Sequence, residues 1–289
     1  MIGFEDACVD STVGTALLAW LEARERRDVS WFEGPPDSTT TAVEAAVRTV
    51  ESMQFGELCA AAVDASASLV GPWKPGAAET AKTAARWAEH RRPIAAAIAG
   101  QFDAELHAPM APDSQQWWSS AGRVSQPTDR LPLFKRYGDV YGNGEFTSAG
   151  LWTTTDPPSQ VHDGLIDVWE IWPGPISRWR LATRPRLRVF EIHRPEDWAA
   201  LVTDHPVKAS RAHRGWELRG SEQYPASTGL PDVGGQLVAP GPRTHLLPDW
   251  SRVAKTFDAV HLSWAGFITT EGRVTPIGDE AITMLRYWS

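Results

Sequence analysis

Cysteine is nearly absent: only Cys8 and Cys59 occur in 289 residues. Both fall in helical patterns, where a free thiol behaves as a small buried hydrophobe, so no disulfide framework is expected and a reducing compartment fits. Long apolar runs are missing as well. Nothing approaches the roughly 20 residues needed to span a bilayer, and the start, Met1-Ile2-Gly3-Phe4-Glu5-Asp6, is acidic where a secretory signal is basic. The expectation is a cytoplasmic protein that does not engage a membrane. Basic charge is in deficit too, with a formal net charge of −8, which argues against nucleic acid as a partner because cations must replace the counterions of phosphate. Familiar catalytic signatures are lacking: no phosphate loop, no dinucleotide fingerprint with its acid, no His-Glu-x-x-His, no Cys-x-x-Cys and no nucleophile elbow. The eight histidines are scattered singly, and no metal is expected.

What is present is enough apolar material, 42% of the chain, to bury a large core and to build two domains. The first hundred residues read as helices. Val9, Val13, Ala16, Leu17, Trp20 and Leu21 form one stripe, which leaves through a nearly all-charged run beginning at Glu22. Thr41 and Glu44 have capping-box spacing, followed by Val43, Val47, Val50 and Met53 on a second stripe. Ala-rich segments at 55–69, 77–90 and 93–106 supply three more helices, with Pro93 suited to a first helical position. Small side chains let such helices pack closely into a bundle. Two prolines among small residues at 107–114 then break the periodicity. The division is a helical bundle domain, 1–110, and a Trp-rich α+β domain, 111–289.

In the second half, strands are expected at 150–155, 167–172, 186–192 and 267–270. Helices are expected at 195–202 and from Trp250 onward, with Asp249 as the N-cap. A long polar loop is expected to run to about 247. After Asp258 the period becomes two, with Val260, Leu262 and Trp264 on one side and Ala259, His261 and Ser263 on the other. The fold class is therefore α+β, a helical bundle followed by a mixed domain with small twisted sheets.

Eleven of the fifteen tryptophans lie beyond residue 116. Each brings a large apolar surface and an indole N–H that needs a partner, which suits cores, clefts and partner surfaces alike. Arg178, Arg180, Arg184, Arg186, Arg188 and Arg194 lie close together with only Glu191 among them. On a strand, alternate arginines share a face, either as a fork for phosphate or carboxylate or as a solvated edge that discourages aggregation. Leu133-Phe134-Lys135-Arg136-Tyr137 reads as an apolar-basic strand with Tyr141 following, and Gly150-Leu151-Trp152-Thr153-Thr154-Thr155 as an aromatic-hydroxyl strand. The threonines fit plain sheet propensity. They fit equally a row of hydroxyls at a cleft mouth, with Trp152 as a stacking wall.

An Arg-bearing strand, then a strand of the Gly-Leu-Trp-Thr-Thr type, then a late strand ending near Thr269-Thr270-Glu271-Gly272 resembles the ADP-ribosyltransferase superfamily. The likeness is closer to its divergent bacterial and phage members than to its toxins, and covers the C-terminal half alone. It implies a small split sheet whose crevice takes NAD as substrate, with Arg136 as the first motif, Thr153 and Thr154 as the second and Glu271 as the catalytic acid. Trp152 and Tyr141 would supply aromatic faces for the nucleotide and His261 a bond to a ribose hydroxyl. The implied partners are a small-molecule nucleotide and an acceptor. A second expectation, of another class, is a non-enzymatic interaction protein that docks a protein partner through the helical domain and presents a Trp-rich surface around Trp117, Trp118 and 169–179.

Overall fold

A computed structural model describes residues 3–26, 39–67, 83–120, 136–137, 146–147, 154–155, 176–181, 183, 186–209, 244–271, 273–278 and 280–283. The fold is α+β with small sheets. The first half is helical: α1 (Phe4–Val9), α2 (Thr12–Arg26), α3 (Thr39–Ser52), α4 (Phe55–Ala67), a 3₁₀ turn at Glu89–Arg91 and α5 (Arg92–Leu106).

The stripe expected to begin at Val9 is split after that residue. Ser11 accepts from the Gly14 N–H at 2.9 Å and so caps α2. Gly14 is required there, because a Cβ would collide with the Cys8 carbonyl. α3 already runs at Thr39, so Thr41 lies inside the helix and the expected box with Glu44 does not start it. That chemistry appears instead on α4, where Glu57 reaches back to accept from Gln54 N at 2.8 Å. Pro93 stands second in α5, behind Arg92.

The apolar stripes meet in a core that includes Leu17, Leu21, Val50, Leu58, Ile94, Ile98 and Phe102. Glu22, expected in a charged exit, is buried inside this assembly and pairs with buried Arg91 at 2.6 Å. Arg91 also donates to the Ala84 carbonyl at 3.2 Å. Both cysteines are free and buried, and burial pushes the Cys8 thiol up to about 12.

The second half contributes β1 (Gln115–Ser120), β2 (Arg136–Tyr137), β3 (Phe146–Thr147), β4 (Thr154–Thr155), β5 (Ile176–Arg180), β6 (Val189–Ile192), α6 (Pro195–Asp204), β7 (Pro206–Ala209), β8 (Thr244–Pro248), α7 (Trp250–Thr256), β9 (Ala259–Leu262), α8 (Trp264–Thr270), β10 (Val274–Ile277) and β11 (Glu280–Thr283). The strands form four small sheets among the described residues: β4-β1-β5, β10-β11-β8-β7, β2-β3 and β6-β9. The expected loop to residue 247 thus contains β7 and β8. The expected strand at 167–172 lies outside the described residues.

A second core joins Ile192, Trp198, Leu201, Val202, Leu246, Val253 and Ile282, with Trp250 and Phe257 packed against it. The strand expected at 267–270 is instead the helix α8. Ser263 caps it by accepting from Gly266 N at 3.1 Å, and Trp264, Phe267 and Ile268 follow at helical spacing. Ala265, Phe267 and Ile268 are buried in the core of the bundle, so that core draws on both sides of residue 110. No helix among the described residues is long and apolar enough to cross a membrane.

Candidate functional site

β6 and β9 run parallel, with Glu191 directly opposite His261. Strand alternation sends Phe190, Ile192, Val260 and Leu262 into the second core and turns Glu191 and His261 to the other face. Their side chains meet there, His261 Nδ1 lying 2.5 Å from Glu191 Oε2. The other carboxylate oxygen, Oε1, accepts the Met110 N–H at 3.0 Å, from the segment that leaves α5. Both oxygens are therefore held, yet the Glu191 side chain keeps 26% of its surface exposed.

His193 follows two residues after Glu191, and its Nε2 stands 4.0 Å from Glu191 Oε2. That separation is too long for a hydrogen bond. Nδ1 of the same ring is buried without a hydrogen-bond partner among the described residues, and the ring lies 5.9 Å from that of His107 at the end of α5. Asp197, in the first turn of α6, fixes this corner. Its carboxylate accepts from His193 N at 3.0 Å and from Arg194 Nε at 3.2 Å. At the opposite end of the strand pair, Asp258 accepts from Arg188 N at 2.9 Å and from Arg188 Nε at 3.0 Å. Arg188 and Arg194, two members of the arginine cluster, are thus engaged by neighbouring carboxylates.

The residues expected from sequence fall in separate parts of the chain. His261 is in the pair just described. Arg136 lies on β2 opposite Thr147 of β3, and Thr154 lies on β4 opposite Gln116 of β1. The structure describes only the backbone of these two. Glu271 closes α8 as its C-cap and is 2% exposed. Tyr141, Trp152 and Thr153 lie outside the described residues. Among the described residues, β9 pairs with β6 and β4 with β1, so the strand of His261 does not run beside that of Thr154.

Sequence reasoning passes over Glu191 and His193 as site residues. Their signal is a lone acid in Val189-Phe190-Glu191-Ile192-His193, two polar residues on one face of an otherwise apolar strand. What this cluster offers chemically is an oriented carboxylate with an imidazole against it and a second imidazole close by. No group of three or more His, Cys, Asp or Glu among the described residues is arranged to hold a metal ion. Comparison of the chain with family models, with curated proteins and with solved structures finds no match in any of the three.

Proposed function

We propose that the protein cleaves the nicotinamide–ribose bond of NAD, as an ADP-ribosyl transferase or NAD glycohydrolase, with Glu191 as the working carboxylate. The observation that carries this reading is the Glu191–His261 pair: a partly exposed carboxylate held at both oxygens, one by Met110 N–H at 3.0 Å and one by an imidazole at 2.5 Å. Cleavage of this bond leaves its electron pair on the nicotinamide nitrogen and builds positive charge on the ribose. A carboxylate already fixed in place stabilises that charge without reorganising during the reaction. His261, expected from sequence to contact the nucleotide, is the residue that orients Glu191. Glu271, the acid expected from sequence, is 2% exposed, whereas Glu191 is within reach of a ligand.

The test is to incubate the protein with NAD and follow nicotinamide release by chromatography. Wild type is expected to release it, and Glu191→Gln to slow release about 10²- to 10³-fold, the usual cost of removing one preorganised electrostatic contact. No release by wild type across acceptors and pH, or an undiminished rate in Glu191→Gln, overturns the reading.

A further inference from the structure

The acceptor of the proposed transfer is written in the gap between Glu191 and His193. Glu191 Oε2 and His193 Nε2 stand 4.0 Å apart without bonding each other. An oxygen lying about 2.8 Å from each would be hydrogen-bonded to both. The two atoms differ in what they offer. The carboxylate oxygen accepts. His193 Nδ1 is buried with no hydrogen-bond partner among the described residues, so the single proton of the uncharged ring is better carried on Nε2, where a ligand can take its hydrogen bond. In the doubly protonated ring Nε2 carries a proton as well, so it donates in either state.

The gap therefore asks for a group that accepts from one side and donates to the other. A hydroxyl does both. A guanidinium, with N–H donors alone, cannot accept from Nε2 and would bring its positive charge against a donor. Resting on the reading above, we infer that the Glu191–His193 gap seats the acceptor and selects a hydroxyl, either water or an alcohol, over a guanidinium. His193 then acts as a catalytic residue that touches the reacting oxygen. The acceptor oxygen forms the new bond to the ribose carbon as the bond to nicotinamide breaks. Its proton passes to Glu191 Oε2, and the electron pair of the broken bond leaves on the nicotinamide nitrogen. The bond from His193 N to Asp197, at 3.0 Å, fixes the backbone from which the ring projects.

The experiment incubates the full chain with NAD in buffer alone, with methanol, and with agmatine as a guanidine acceptor, and identifies the products by mass spectrometry. ADP-ribose and methyl-ADP-ribose are expected, with no agmatine adduct. His193→Leu, which removes the donor, is expected to reduce transfer to both hydroxyl acceptors about 10²-fold, the scale of a misplaced reactant. His193→Gln, which can still donate, should recover part of that loss, and its thermal midpoint reports that the fold is intact. An agmatine adduct as the main product, or transfer to methanol by His193→Leu at the wild-type rate, overturns the inference while leaving NAD cleavage standing. Absence of nicotinamide release in every arm removes the proposed function, and the inference with it.

Discussion

Glu22 opens a run of charge in the sequence, yet its side chain is 0% exposed and meets Arg91 at 2.6 Å. Coulomb attraction in so dry a place is offset by the loss of hydration, so such a pair fixes geometry more than it adds stability. Removing one partner is another matter, because it strands the other charge. Arg91→Leu is expected to cost about 3–5 kcal/mol, whereas the double replacement Glu22→Met with Arg91→Leu should lie close to wild type. Urea denaturation of the two single variants and the double variant checks this. An additive double variant would refute the coupling. Composition and spacing could not reveal the pair, since 69 residues separate its members and a glutamate at the end of a stripe reads as a solvated exit. The same blindness hides Glu191. Its environment is made by His261 and Met110, 70 and 81 residues away.

Helix α7 is legible in the sequence because its cause is local. Asp249 caps it, accepting from Ser251 N at 3.1 Å, Ser251 Oγ at 2.6 Å and Arg252 N at 3.3 Å. Burial alone would raise this carboxyl. The bonds from Ser251 and Arg252, with the charge of Arg252, outweigh it and hold the group below the usual carboxylate value. A lowered value in the folded state means that the cap's contribution is complete above the unfolded value of about 3.9 and is lost as pH falls through the folded one. Asp249→Ala should cost about 1 kcal/mol at neutral pH. Its deficit relative to wild type should shrink toward zero as denaturation is repeated at increasingly acid pH, and a deficit independent of pH would contradict the ionic cap. Helix α8 reads as a strand for a reason that is not local. Phe267-Ile268-Thr269-Thr270 has strand propensity, but the Ser263 cap and the slot in the bundle decide for a helix. On its other side the helix lies so close to β6 that Gly266 is required, because a Cβ there would strike the Ile192 carbonyl.

Across the whole molecule, α8 ties the two halves together among the described residues. Leu262 at the end of β9 packs against both cores, and Ile268 beyond it is fully buried among bundle residues. Ile268→Ala should destabilise by about 2–5 kcal/mol. The loss should appear together in far-ultraviolet circular dichroism, which follows the bundle, and in amide exchange of β6 and β9. Unfolding of the strands with the bundle left unchanged would contradict this dependence. The α+β class and most helices could be read from periodicity, whereas this shared core could not, because periodicity says which face is buried and never against what. The bond from Ser11 Oγ to the Ile268 carbonyl, 2.6 Å long and spanning 257 residues, has a consequence during synthesis. On the ribosome the helices of the first half emerge early, but their core lacks Ala265, Phe267 and Ile268 until translation has passed those codons. The bundle helices, made before α8, must wait with part of their apolar face uncovered until α8 arrives to cover it.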